Sequence, residues 1–566
     1  MNASLTPLGR YLVEVYDPQV LAEYVFRPLW HVPLFGLVAL LAWWLARGIS
    51  TDEVEAHLGF LERHERGLVA LLAAASGLFS AWVATAILGA VPHIQDERAY
   101  LFEARLMAGG RLTAPVPAAP LDRACAIDFT VQDSGRWYGR FPPGWPALLA
   151  AGVICGAPHL LNPLLGFFGI VGLHLFLRLH LTRRQALLGT ALAASSPLVT
   201  LMDASLLAHP AGLVMTLGGL AGYGAALQGR RWAHVVWGAA AGMLFLTRPH
   251  EGAFLWLVPA LHLSWVARRC LPRWGSLGLG CLAFGLFVMA SLAFNRATTG
   301  DAFALPTLRC SPIDRPGFSP HVGVYAAEGH DLGRGLHNTI HQWKATNDVL
   351  FGWPYLSLLP VALGLLGCRW RDDRVVGMLA LAVAYLAFLV TWHNPGMGFG
   401  TRYHYFIVPQ LVLLAVRGVS WLVQRGGPRA RVAVLLALVY LQVVSVATHY
   451  PRRLETLRFY WRVFPATTVL GPDALARTSV LVPQLWVDGV QEAFASFEGL
   501  STPYLGGQGI VAARDLPGVE TAIVRAFPDR RLVRIDPDRL RRAIESWTGE
   551  PADLEAREAA PAVSVR

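Results

Sequence analysis

The chain has 566 residues, of which 54% are hydrophobic and only 15% charged, and its mean hydropathy of +0.42 is too high for a water-soluble globule. Its net charge of +10 is carried by arginine, with Lys344 the sole lysine. The arginines sit in short clusters between apolar runs, which suits membrane topology and not a nucleic-acid surface. Six cysteines without a Cys-x-x-Cys spacing exclude a zinc ribbon and argue against a disulfide scaffold.

Residues 1–28 contain Glu14, Asp17 and Glu23 and no uninterrupted apolar core, so they predict an interfacial segment and not a cleavable leader. Runs able to cross about 30 Å of hydrocarbon follow at 29–45, 67–91, 160–179, 186–202, 208–227, 232–246, 252–266, 275–294, 351–368, 375–391, 403–423 and 432–447, twelve in all. The stretch 141–157 opens with Phe141-Pro142-Pro143-Gly144-Trp145-Pro146 and is short enough either to cross or to lie in the interface. If it lies flat, the clusters Arg47/Arg63/Arg66, Arg178/Arg183/Arg184, Arg230/Arg231, Arg268/Arg269/Arg273, Arg369/Arg371/Arg374 and Arg425/Arg429/Arg431 share one side, which the positive-inside rule makes cytoplasmic. If it crosses, they split. The flat placement gives a membrane domain at 29–448 with long outer loops at 92–158 and 295–350. Residues 449–566 then form a small extracytoplasmic α/β domain, with strand signals at 479–482, 509–513 and 531–535, a helix signal at 518–526 and a loose tail.

Most of the candidate chemistry falls on the outer loops. Gln95-Asp96-Glu97-Arg98-Ala99-Tyr100 continues through Glu103 and Arg105 to Gly109-Gly110, a short amphipathic helix that sets Asp96 and Glu97 at the membrane surface. A carboxylate there can act as a general base or metal ligand, or can simply be an acidic helix start. Asp203 and His209 stand on a second edge, Arg248, His250 and Glu251 on a third, Asn295 to Asp301 on a fourth, and Gly398 to Tyr405, with Arg402 and Tyr403, on a fifth. Arginines at span ends can snorkel. The planar guanidinium also suits a phosphate, so Arg248 and Arg402, with Tyr403 and His209, are candidates to hold an anionic lipid head group.

The ordered motifs Asp-Glu-x-x-Tyr-x-x-x-Ala, Phe-Pro-Pro-Gly-Trp-Pro, Leu-Thr-Arg-Pro, Asn-x-x-x-Thr-Gly-Asp and Gly-x-x-x-Arg-Tyr resemble those of GT-C class integral-membrane glycosyltransferases of the protein O-mannosyltransferase and aminoarabinose lipid A transferase type. The resemblance spans most of the membrane part and leaves out the C-terminal domain. It implies a first outer loop with an acidic pair and two juxtamembrane helices, hence a flat 141–157. It further implies a polyprenyl-phosphate sugar donor, a lipid, glycan or protein acceptor, Asp96 as catalytic base with Glu97 beside it, and inversion at the sugar. Tyr100, Arg105, Tyr138, Asp203 and Asp301 are expected to support the acceptor side or the loops. Some members of the class use a divalent metal, so Asp96, Glu97 and Asp203 or Asp301 are candidate ligands, with the metal question open.

Two lesser features remain. His337 and His341 have the i, i+4 spacing of a helical zinc pair, without HExxH. Cys125 and Cys310, one in each long outer loop, are candidates to pair in an oxidising compartment. The competing functions are a lipid-linked glycan polymerase or ligase, and a transporter or flippase; the latter predicts ionisable residues at mid-span, where His174 is the main instance. The arginine-rich, lysine-poor composition fits a high-GC bacterial genome, so the expected location is a bacterial inner membrane with the active face outside.

Overall fold

A computed structural model describes residues 27–268, 272–323, 329–367, 373–471, 478–505 and 509–556. The expected interfacial segment, but for its end, and the expected loose tail beyond 556 lie outside them, as do Arg269, Arg369 and Arg371. The molecule is mostly helical. Five helices are long and apolar enough to cross a membrane, at Glu65–Ile87, Pro158–Arg178, His209–Leu227, Trp274–Thr299 and Arg402–Arg462. A sixth crossing forms if Arg183–Ala194 and Pro197–Asp203, bent by 55°, count as one span. Other expected spans are shorter apolar helices, such as Trp232–Thr247 and Val375–Val390, or fall below the span criteria, as Pro249–Ala267 and Leu359–Leu366 do.

Sequence explains several of these boundaries. Pro197 and Pro249 each stand at the first position of a helix, where the missing N–H costs nothing, and each ends the preceding run. The expected break between 403–423 and 432–447 is a single kink, where Gly427 has φ 72° and Pro428 restarts the helix. Helices Trp232–Thr247 and Pro272–Thr299 meet at Gly238 and Gly280, where a Cβ on Gly238 would collide with the Gly280 carbonyl; small residues allow that approach in lipid. Outward faces remain apolar, with Leu78, Leu261, Leu282, Leu286 and Met289 exposed, as a hydrocarbon surround requires. The chain is an integral membrane protein.

The stretch 141–157 holds the helix Gly144–Ile154, whose 11 residues span about 17 Å, half of what a crossing needs. It packs on Gln95–Ala108, and the buried Trp145 donates to the Leu206 carbonyl at 2.9 Å. Between these two helices lies an antiparallel sheet of β1 (Ala114–Pro115), β2 (Thr130–Asp133) and β3 (Arg136–Gly139), in the order β1-β3-β2.

The C-terminal part carries β4 (Thr478–Val482), β5 (Trp486–Val487), β6 (Gln491–Glu492), β7 (Val511–Arg514), β8 (Arg531–Arg534) and β9 (Leu554–Glu555). Strands β7-β4-β8 form a parallel sheet, with helix Val519–Ala526 on the crossover from β7 to β8. Central β4 is buried along its whole length, which accounts for its unbroken Val480-Leu481-Val482 run. This sheet is not a free appendage. Leu481, Val511, Ala513, Val519 and Ile523 share one core with Phe102, Leu106, Cys125 and Trp137 of the stretch 92–140. Cys125 and Cys310 are both free thiols.

Candidate functional site

Helix Gln95–Ala108 begins at Ile94, whose side chain cannot cap it. Glu97 does that work from the third position: its Oε2 accepts from the backbone N–H of His93 (2.7 Å) and Ile94 (3.2 Å). Its Oε1 accepts from Leu206 N–H at 2.7 Å, tying the helix to the turn before His209. Burial pushes the Glu97 carboxyl up to about 7, against the three N–H donors that favour its ionised form.

With Glu97 turned inward, its neighbour Asp96 lines a cavity of about 490 Å³. Asp96 Oδ2 receives Nη1 of Arg402 at 2.6 Å, and the two side chains are 18% and 12% exposed. Arg402 is set by the turn before it, where its N–H donates to the Gly396 carbonyl at 3.1 Å. Gly396 has φ 64° and lies against the Tyr403 ring, so a side chain there would be excluded by both conformation and space.

Arg248 sits in the break between two helices, with φ −142° and ψ 88°, and so projects into the cavity. It pairs with Glu251 at 2.7 Å, and Glu251 also accepts from the Tyr385 hydroxyl at 3.1 Å. The Tyr403 ring is near both guanidinium groups, 5.8 Å from Arg248 and 5.4 Å from Arg402, and its hydroxyl accepts from Trp392 Nε1 at 3.0 Å. Arg248 and Arg402 each keep a buried Nε with no hydrogen-bond partner among the described residues.

A second polar group lines the same cavity. Arg140, its guanidinium 4.2 Å from the Phe129 ring centre, pairs with Asp314, whose Oδ1 meets His393 Nε2 at 2.8 Å. Burial would raise the Asp314 carboxyl, but the His393 bond and the Arg140 charge outweigh it and hold the group below the usual range.

Of the residues expected from sequence, Asp96, Tyr100, Arg248, His250, Glu251, Asn295, Arg402 and Tyr403 line this cavity. Glu97, Arg105, Tyr138, Asp203, His209 and Asp301 do not. Asp203 is buried and accepts from Tyr405 at 2.8 Å. Arg105 donates to the Gly499 carbonyl at 2.5 Å, and Tyr138 is buried on β3. Asp301 is exposed and accepts from Phe303 N–H at 2.9 Å. His209 is buried beside Arg248 and Arg402, with neither ring nitrogen partnered among the described residues. Missing from the expected set were Arg140, Asp314, His393, Tyr385 and Trp392. The signal for two of them was Trp392-His393-Asn394-Pro395 at the end of an apolar run; Arg140 directly precedes the Phe-Pro-Pro-Gly-Trp-Pro motif.

Among the described residues no three His, Cys, Asp or Glu side chains are placed to hold a metal. The four proposed carboxylates are dispersed: Asp96 on Arg402, Glu97 on backbone N–H groups, Asp203 on Tyr405, and Asp301 at the surface. The His337 and His341 rings do neighbour each other on helix Leu332–Val349, with centroids 4.4 Å apart.

No family model and no curated protein matches the chain in sequence. Among solved structures it is similar to ArnT from Cupriavidus metallidurans in the apo state, an aminoarabinose lipid A transferase, with a TM-score of 0.51 at 15% identity over 82% of this chain and 89% of that one. The chain shares the fold of that structure. Lower similarity is found to ArnT bound to undecaprenyl phosphate, with a TM-score of 0.48 at 15% identity over 82% and 89%. For the oligosaccharyltransferase AglB from Archaeoglobus fulgidus, in complex with an inhibitory peptide and a dolichol-phosphate, the TM-score is 0.41 at 13% identity, and 70% of this chain covers 56% of that one. The fold assignment rests on the first of these alone.

Proposed function

We propose that the protein is a glycosyltransferase that moves a sugar from a polyprenyl-phosphate donor to an acceptor hydroxyl or amine at the extracytoplasmic face of a bacterial inner membrane. The observation that carries this reading is the meeting of Asp96 with Arg402 and Arg248 in one cavity, built from three loops that are far apart in the chain. A carboxylate beside two guanidinium groups with spare buried donors matches a reaction that removes a proton at one point and develops phosphate charge at another.

In this mechanism Asp96 takes the acceptor proton through the face not held by Arg402. The acceptor heteroatom forms its bond to the anomeric carbon as the bond from that carbon to the phosphate oxygen breaks. The electron pair leaves on the polyprenyl phosphate, and a single displacement inverts the sugar. Arg248 and Arg402 meet the growing phosphate charge, while Glu97 holds the helix that aims Asp96. Ser291 and Asn295 of the lipid-exposed helix Trp274–Thr299, with Leu305 beyond it, line one wall, a side from which a lipid-borne donor can reach the cavity. Twelve crossings, with the shorter helices completing the bundle, would put all the cavity loops outside.

The test is sugar transfer from a panel of short-chain polyprenyl-phosphate donors by purified enzyme, with donor binding measured in parallel. Asp96→Asn is expected to abolish transfer and retain binding. Transfer at the wild-type rate by that variant would remove Asp96 as the base, and absence of both transfer and binding in the wild type across the panel would refute the reading.

A further inference from the structure

The C-terminal region touches both segments that carry the Asp96–Arg402 pair. The carbonyl of Tyr460 bonds His93 Nδ1 at 2.9 Å, three residues before Asp96. Its hydroxyl accepts the N–H of Phe399 at 3.3 Å, three residues before Arg402, and the Tyr460 and Phe399 rings lie 4.9 Å apart. One residue thus bridges two loops separated by 306 positions, next to the ion pair those loops make. Trp461 and Arg462 follow with φ 53° and 57°, two successive left-handed residues other than glycine. Such backbone persists only where its surroundings hold it.

A second attachment grips the Asp96 helix from its other side. Arg98 Nε meets Glu498 at 2.6 Å, both side chains being 1% exposed, and Arg98 Nη2 meets Asp128 at 3.1 Å. Arg514 of β7 reaches Glu498 at 3.4 Å and Glu492 at 3.0 Å. Gly499 packs so closely on Pro92 that a Cβ would lie 2.7 Å from the proline ring, and its carbonyl accepts from Arg105. An ion pair this buried loses desolvation energy that a plain apolar contact would not, so its worth lies in fixing one geometry. A packing interface alone would not need to bond to both loops of the ion pair.

We infer that the C-terminal domain is a clamp that sets the Asp96–Arg402 geometry, with Tyr460 and Glu498 as its positioning residues. The inference rests on the reading of that pair as the transfer site. Neither residue lines the cavity, so each acts through the segments it holds.

The full-length enzyme in lipid nanodiscs provides the test, with Tyr460→Phe and Glu498→Gln. Amide exchange is expected to rise at residues 397–402 in Tyr460→Phe, which removes the hydroxyl that accepts from Phe399 and keeps the carbonyl bond to His93, and at 93–105 in Glu498→Gln, while β4, β7 and β8 stay protected. A rise confined to residues 455–470 or to the C-terminal sheet would overturn the clamp. In transfer assays Tyr460→Phe is expected to lower kcat about three- to ten-fold at unchanged donor KM, as the loss of one neutral hydrogen bond allows, and to add nothing in an Arg402→Gln background. Multiplicative losses in the double variant would show an independent structural effect and overturn it too. If the wild type transfers no sugar, the functional reading falls, and the exchange pattern still decides the clamp.

Discussion

Replacing Arg402 by glutamine probes the proposed chemistry most directly. The substitution keeps length and polarity but removes the cation 2.6 Å from Asp96 and one of the two guanidinium groups facing the cavity. Both partners are less than one-fifth exposed, so solvent screens the interaction little. Loss of one donor aimed at charge developing in a transition state costs about 3–4 kcal/mol, on the order of 10²–10³ in kcat. Arg248 remains, so some activity is expected to survive. Arg402→Lys restores the charge but not the fork, because an ammonium is a single point of donation and cannot present the paired, coplanar N–H groups that match a phosphate; an intermediate loss of about ten- to a hundred-fold follows. Single-turnover transfer with saturating donor measures the step. Values of kcat within about three-fold of wild type for Arg402→Gln would refute the assignment of this guanidinium to the leaving phosphate.

Other outcomes follow from the same geometry. Arg248→Gln strands the Glu251 carboxylate, which is 5% exposed, and is expected to cost about 3–5 kcal/mol of stability. The pair Arg248→Gln/Glu251→Gln should recover much of that, and thermal unfolding in detergent separates the two cases. Glu97 titrates near 7 in the fold against 4.5 ordinarily. Between those values the folded state binds the proton more tightly than the unfolded one, so stability is complete below 4.5 and is lost as pH rises through 7, by about 3 kcal/mol. Glu97→Gln is expected to flatten that slope in denaturation midpoints taken from pH 4.5 to pH 8; an unchanged slope would place the titration elsewhere.

Much of the architecture is legible in the chain because its signals are local. Apolar runs interrupted by arginines, prolines at helix starts and the Asp96-Glu97 helix entry need only near neighbours, and the strand signals at 479–482, 509–513 and 531–535 fall on β4, β7 and β8. The short apolar helix expected within 141–157 is another such case, found at Gly144–Ile154. Span lengths were less legible: hydropathy extends runs such as 351–368 past the point where helix geometry stops, at Leu359–Leu366.

What the sequence by itself determined was the medium, the order of the helices and a set of polar side chains at their ends. Tertiary structure decided how those side chains are used. Asp96 and Glu97 are adjacent carboxylates that sequence cannot tell apart; a 100° turn of helix sends one to Arg402 and the cavity and the other to three backbone N–H groups. Asp314 carried no signal and His393 only its place at the end of an apolar run, and they matter because two distant loops bring them within 2.8 Å of each other beside Arg140. Hydrophobic periodicity reports which medium each residue faces, whereas an ion pair depends on where another part of the chain has been carried, and that is fixed only when the helices pack.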